Sequence, residues 1–220
     1  MELVREVADQ TSQPPVSGFM HVPARPNGAG IVLTHGAGGN CQSKLLQSLA
    51  HAFAEAGYTV LRCNLSFRQQ RPFGPPSPAS AERDREGLRR AVMLMREQTS
   101  GPVYLGGQSY GGRQASMLVA DEPDLVSGLL LLSYPLHPPG RAAQLRTAHW
   151  PKLATPALFV HGSRDPFASQ NELQAAITLL PARSKVIEME GAGHELLRKK
   201  ADEQFGPTIV TAFQQFFGSL

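Results

Sequence analysis

The order of strand and helix signals along the 220 residues predicts an α/β fold, a mostly parallel sheet of about seven or eight strands with helices on both faces. Three observations carry this prediction. Compact apolar runs of strand length alternate with amphipathic stretches of about 10–20 residues, the pattern of βαβ units. The runs Leu129–Leu132 and Ala157–Val160 have no polar side to turn to water, as expected of strands covered on both faces. Hydrophobic residues make up 41% of the chain and charged residues 18%, enough for a core and incompatible with a disordered chain.

The elements follow in order. Residues 2–7 and 16–22 flank Gln13-Pro14-Pro15 and read as an opening pair of strands. Gly30–Thr34 is a compact strand running into His35-Gly36-Ala37-Gly38-Gly39. From Cys41 to Ala56, Leu45, Leu46, Leu49, Ala52 and Phe53 form one helical stripe, which Gly57 stops. Tyr58–Cys63 is the next strand, Pro72–Pro78 a proline-rich loop, and Ser80–Met95 a helix. Strand 103–106, helix 110–121, strands 128–133 and 156–161, helix 169–180, strand 184–189 and a closing helix near 197–217 complete the pattern. No repeat of solenoid period appears, and residues 1–220 read as one domain.

Other classes are disfavoured on composition. No apolar run reaches the ~18 residues needed to span a bilayer. The opening Met1-Glu2-Leu3-Val4-Arg5-Glu6 carries acids where a signal peptide would be apolar. Cys41 and Cys63 are too few for a disulfide scaffold and read as reduced thiols, which places the protein in the cytoplasm. A net charge of +3 does not call for nucleic acid. The run Glu82–Arg90 mixes signs at helical spacing and reads as a solvated face. Seven scattered histidines show no zinc spacing, so neither metal nor cofactor is expected.

In an open parallel sheet, ligands bind beyond the carboxyl ends of the strands. Strand 103–106 leads into Gly107-Gln108-Ser109-Tyr110-Gly111-Gly112, a G-x-S-x-G pattern between strand and helix. The spacing suits a sharp turn that projects the serine, with glycines two residues to either side allowing close packing. Strand 156–161 ends in His161-Gly162-Ser163-Arg164-Asp165-Pro166, where Asp165 can orient a histidine. Strand 184–189 is followed by Gly191-Ala192-Gly193-His194, a histidine in a glycine-flanked loop. Glu188 and Glu190 are rival acids. The order Ser109, Asp165, His194 is that of one hydrolase fold and differs from the two other serine-protease orders. His35–Gly39 can supply a backbone N–H for an oxyanion hole from Ala37, with Gly38 next to it, and Tyr110 supplies the other.

These motifs resemble the α/β-hydrolase superfamily, in its dienelactone-hydrolase-like part, over nearly the whole chain. More narrowly, Thr34–Gly39, Gly107–Arg113, Ser133–Gly140 and Gly162–Phe167 resemble a group of bacterial hydrolases of unknown substrate. The hydrolase-like domain of a eukaryotic chromatin-complex subunit belongs to the same group. The resemblance implies a serine hydrolase acting on an ester, thioester or similar acyl bond of a small molecule. Ser109 would be the nucleophile, His194 the base and Asp165 the acid. Dienelactone hydrolase itself carries a cysteine at the elbow, so its substrate does not transfer. The chromatin-subunit likeness implies a rival reading, a noncatalytic interaction domain on the same scaffold.

The segment between strands 128–133 and 156–161 opens with Tyr134-Pro135-Leu136-His137-Pro138-Pro139-Gly140, whose prolines stop early helix formation. It leaves no room for a cap domain, so the site is expected to be open. Tyr134 and Trp150, with Gly38 and Arg113, are the expected pocket walls. Arg113 opposes the dipole of the elbow helix and either pairs with a carboxylate or meets an anionic substrate. The oligomeric state is not legible.

Overall fold

The computed structural model describes residues 1–197 and 203–218. In chain order the elements are β1 (Leu3–Asp9), β2 (Val16–Val22), β3 (Gly30–Thr34), α1 (Lys44–Glu55), β4 (Thr59–Cys63), α2 (Ser66–Gln70), α3 (Ala81–Gln98) and β5 (Val103–Gln108). They continue with α4 (Tyr110–Asp121), β6 (Gly128–Leu132), β7 (Ala157–Gly162), α5 (Gln170–Ala176), β8 (Ser184–Met189) and α6 (Phe205–Phe217). All eight strands join one sheet in the order β1-β2-β4-β3-β5-β6-β7-β8. The pairs β1–β2 and β2–β4 are antiparallel, and every other pair is parallel.

The continuous apolar strands are explained by two cores. Successive side chains of a strand point to opposite faces. Leu129 and Leu131 therefore join Leu105, Phe159 and the apolar stripes of α3 and α4 on one side. Leu130 and Leu132 join Leu33, Val160 and the stripes of α1 and α6 on the other. A polar residue at any of these positions would be buried whichever way it faced.

The sequence-based boundaries shift in ways that have local causes. The helix expected from Cys41 starts at Lys44 because Ser43 caps it, its hydroxyl accepting from the Leu46 N–H at 3.4 Å. The helix expected over 169–180 is α5 followed by a single 3-10 turn, Ile177–Leu179. Helix α2 was not anticipated; five residues are too few to display helical periodicity. Of the closing helix, residues 198–202 lie outside the described residues.

The segment between β6 and β7 contains only a 3-10 turn, Trp150–Lys152, and no cap. Tyr134 and Trp150 are both fully buried. Trp150 Nε1–H donates to the Tyr134 hydroxyl at 3.2 Å, and that hydroxyl donates to the Arg146 carbonyl at 2.9 Å. Both rings pack against Phe159. The expectation that Tyr134 and Trp150 wall a substrate pocket is therefore corrected. Large rings with one polar atom each gain most when the ring joins the core and the polar atom finds a partner, and here they staple the loop to the sheet.

Candidate active site

Ser109 sits between the end of β5 and the start of α4, with φ 50° and ψ −115°. A non-glycine residue at positive φ costs on the order of 1–3 kcal/mol and persists only where its surroundings enforce it. Close packing supplies that enforcement. A Cβ on Gly107 would lie 2.5 Å from the Gly112 nitrogen, and one on Gly111 would lie 2.4 Å from the His35 carbonyl oxygen. Only glycine at these two positions lets the elbow close on itself and touch the loop after β3. The Ser109 N–H donates to Leu132 O at 2.8 Å, tying the turn to β6.

From three different strand ends the fold brings Ser109, His194 and Asp165 into line. His194 Nε2 is 2.8 Å from Ser109 Oγ, and His194 Nδ1 is 2.8 Å from Asp165 Oδ2. An ionised carboxylate only accepts, so Nδ1 carries the proton and Nε2 offers its lone pair to the serine hydroxyl. The Asp165 side chain is fully buried, and its other oxygen accepts the Phe167 N–H at 2.9 Å. The Phe167 ring stacks on His194 with centroids 4.2 Å apart. His161 Nδ1 lies 3.9 Å from the same Asp165 Oδ2, and its Nε2 donates to the Ala168 carbonyl at 2.8 Å. Gln108 Nε2 donates to Glu195 at 3.3 Å, linking the residue before the serine to the one after the histidine.

The loop after β3 is held by its carbonyls, leaving N–H groups free. His35 Nδ1 donates to Gly36 O at 2.8 Å while its Nε2 accepts the Leu65 N–H at 3.1 Å. Burial pushes His35 down to about 4, so the ring is neutral and this tautomer is fixed. Arg68, on α2, reaches the same loop: Nε donates to Gly39 O at 2.8 Å and Nη2 to Ala37 O at 2.9 Å. The same guanidinium donates to Gly74 O at 3.1 Å and Arg71 O at 3.2 Å, pinning the proline-rich loop. The Ala37 carbonyl and the Gly38 N–H belong to one peptide unit, as do the Gly36 carbonyl and the Ala37 N–H. Donation to each carbonyl polarises the N–H beyond it. Neither the Ala37 nor the Gly38 N–H has an acceptor among the described residues. The Tyr110 N–H opens α4, where helix geometry leaves the first N–H groups without intrahelical partners.

Tyr110 itself is anchored by Asp84, on α3. The phenol donates to Asp84 Oδ2 at 2.8 Å, and Asp84 Oδ1 accepts the Phe67 N–H at 2.8 Å. Burial raises Asp84 above the usual carboxylate range, and burial together with Asp84 raises the phenol. The reading of Glu82–Arg90 as a wholly solvated face is corrected here, because Asp84 is fully buried. It falls on the stripe of Leu88, Ala91, Val92 and Met95, the face that α3 turns to the core. That register was the available signal. Arg68 and Phe167 were also missed: Arg68 acts on backbone carbonyls, which leave no mark in residue identity, and nothing in the stretch Gly162–Phe167 marks the Phe167 ring as the one that stacks on His194.

Of the remaining expected site residues, Gly38 is exposed on the rim of the loop. Arg113 has no carboxylate partner among the described residues. Elsewhere, Glu2, His21 and His51 bring ligand-type atoms within 4.8 Å of one another. Arg62 Nε–H donates to His21 Nε2 at 2.7 Å, so neutral His21 keeps its proton on Nδ1 and gives it to Glu2. The trio is thus a hydrogen-bonded knot that fastens the start of the chain, with no lone pair on His21 left for a metal.

Residues 27–215 match the family described as the alpha/beta hydrolase domain, and the chain belongs to that family. Among solved structures it is similar to a dienelactone hydrolase from Anabaena variabilis, with TM-score 0.75 and 16% identity, covering 99% of this chain and 98% of that one. Est1E from Butyrivibrio proteoclasticus also gives TM-score 0.75, at 14% identity and 99% coverage of both chains. XC6422 from Xanthomonas campestris, described as an α/β serine hydrolase without lid, gives 0.65 at 17% identity, covering 99% of this chain and 94% of that one. At these identities the likeness is one of fold. The fold and family define an alpha/beta hydrolase scaffold, on which the described residues carry no cap.

Proposed function

We propose that the protein is a serine hydrolase that cleaves an ester, thioester or similar acyl bond of a small substrate through an acyl-enzyme. The observation that carries this reading is the unbroken chain from Ser109 Oγ through His194 to buried Asp165, each link 2.8 Å. His194 takes the serine proton as Oγ attacks the acyl carbon, and returns it to the leaving group when the tetrahedral intermediate collapses. Asp165 holds the tautomer and stabilises the imidazolium that forms in between. Water, deprotonated by the same histidine, then releases the acid. The oxyanion faces the N–H groups of Tyr110 and Ala37, with Gly38 beside them. No cofactor or metal enters this chemistry.

The rival reading, a noncatalytic interaction module like the chromatin-subunit domain, gives no physical reason to keep three strand ends in such register. The test is hydrolysis of p-nitrophenyl acetate by wild type and by Ser109→Ala, with circular dichroism as the folding control. Loss of turnover by several orders of magnitude in a folded variant supports the reading; wild-type turnover refutes it.

A further inference from the structure

We propose that Phe167 acts on the reaction through His194: its ring stabilises, by a cation–π contact, the imidazolium formed each time His194 takes a proton from serine or water; this rests on the hydrolase reading above. The two rings lie with centroids 4.2 Å apart and planes inclined by 33°, so they meet face to face. A cation over the face of an aromatic ring, within ~6 Å of its centroid, is attracted by the ring quadrupole. A neutral imidazole gains none of that charge attraction. The contact therefore strengthens between the resting enzyme and the transition state, which is the condition under which an interaction raises kcat.

The backbone holds the ring ready. Phe167 N–H donates to Asp165 Oδ1 at 2.9 Å, while Oδ2 of the same carboxylate accepts His194 Nδ1–H at 2.8 Å. One buried carboxylate thus sets the imidazole and the ring that covers it relative to each other. The Phe167 carbonyl accepts the His137 N–H at 3.1 Å, from the segment after β6, so the residue is tied on both sides. The Ala168 carbonyl accepts from His161 Nε2, and Ser169 exchanges capping bonds with Glu172 at the start of α5. The stretch that carries the ring is therefore anchored residue by residue, and the stack needs no rearrangement when charge develops. The Asp165 side chain is fully buried and that of His194 only 18% exposed, so little water screens the charge and the contact falls toward the strong end of its range. Asp165 meets the imidazolium at its Nδ1 edge and Phe167 meets its face, so neither contact replaces the other. A ring that only filled space could be exchanged for another apolar side chain of similar size, which makes the distinction measurable.

The test replaces Phe167 by phenylalanines bearing one, two and three ring fluorines, which withdraw negative charge from the ring face while nearly keeping its shape. The readouts are kcat and KM on p-nitrophenyl acetate, with circular dichroism as the folding control. Both half-reactions pass through the imidazolium, so whichever limits turnover reports the contact. The expected result is a log kcat that falls in step with fluorine number, by about five- to thirtyfold over the series, with KM little moved. Phe167→Leu, apolar but without a quadrupole, should fall by a similar factor. A kcat indifferent to fluorine number, or a folded Phe167→Leu within about twofold of wild type, overturns the cation–π role and leaves the triad in place. A wild-type chain that neither hydrolyses the ester nor takes a fluorophosphonate overturns the hydrolase reading, and this role with it.

Discussion

Replacing Arg68 by methionine tests how the oxyanion loop is kept in place. The guanidinium donates to Gly39 O at 2.8 Å and Ala37 O at 2.9 Å, and more weakly to Gly74 O and Arg71 O at 3.1 and 3.2 Å. A hydrogen bond from a charged donor contributes about 1.5–3 kcal/mol, and water can reach part of a half-buried loop, so Arg68→Met should lower stability by ~2–4 kcal/mol. The effect on catalysis is separate. Without the cation, the Ala37 and Gly38 N–H groups lose their fixed direction, and the Gly38 N–H also loses the polarisation passed through the Ala37 carbonyl. Deleting one oxyanion donor outright costs about 10²–10³ in kcat, so Arg68→Met should cost up to about a hundredfold. KM should move little, because the loss falls on the transition state. Arg68→Lys, with one point charge in place of a fork, should fall between the two. The assay is kcat and KM on p-nitrophenyl acetate beside urea denaturation of each variant. A folded Arg68→Met protein with kcat within about twofold of wild type would refute the argument, since a merely structural role lowers stability and spares turnover of the folded fraction.

Asp165→Asn should reduce kcat by about 10⁴-fold with little change in KM, because the amide can donate and then favours the wrong tautomer of His194; near-normal turnover would move the acid elsewhere. Stability should fall as pH drops from 6.5 toward 5. His35, held at about 4 in the fold, stays neutral while the unfolded chain takes up a proton, a loss of about 1.4 kcal/mol per pH unit for that group. His21 and His149 are shifted the same way, mainly by burial, and steepen the slope. Urea midpoints that stay level or rise over that range would contradict it. With no cap over the serine, short p-nitrophenyl esters should be turned over better than long ones, since an open groove gains little of the ~0.8 kcal/mol that each buried methylene contributes. A steady rise in kcat/KM from acetate to palmitate would count against the open site.

The parts of the molecule that were legible in the sequence are those written in local pattern. β5 and β6 declare themselves by apolar runs, and the elbow by glycines around Ser109, because strand burial and a strained turn each restrict residue type at fixed spacing. Asp165 and His194 were legible because strand ends are where such a sheet exposes side chains. What escaped has no local pattern. Arg68 belongs to a five-residue helix and acts on the backbone of a loop about thirty residues away, so its partners, carbonyl oxygens, leave no trace in residue identity. Asp84 hid in a mixed-charge run, although its place on the apolar stripe of α3 marks it as inward-facing. Tyr134 and Trp150 were placed in the wrong environment because an aromatic in a loop serves packing and binding equally well until its hydroxyl and ring partners are known.

The central claim is that Ser109 is a nucleophile activated by His194. The direct measurement is mass spectrometry of the chain after exposure to a fluorophosphonate, with peptide mapping of the adduct. A single phosphonyl group on Ser109 in wild type, with labelling slowed by several orders of magnitude in His194→Gln, is the predicted result. A folded wild-type chain that hydrolyses p-nitrophenyl acetate yet takes no label at Ser109, or takes it on another residue, would contradict the account.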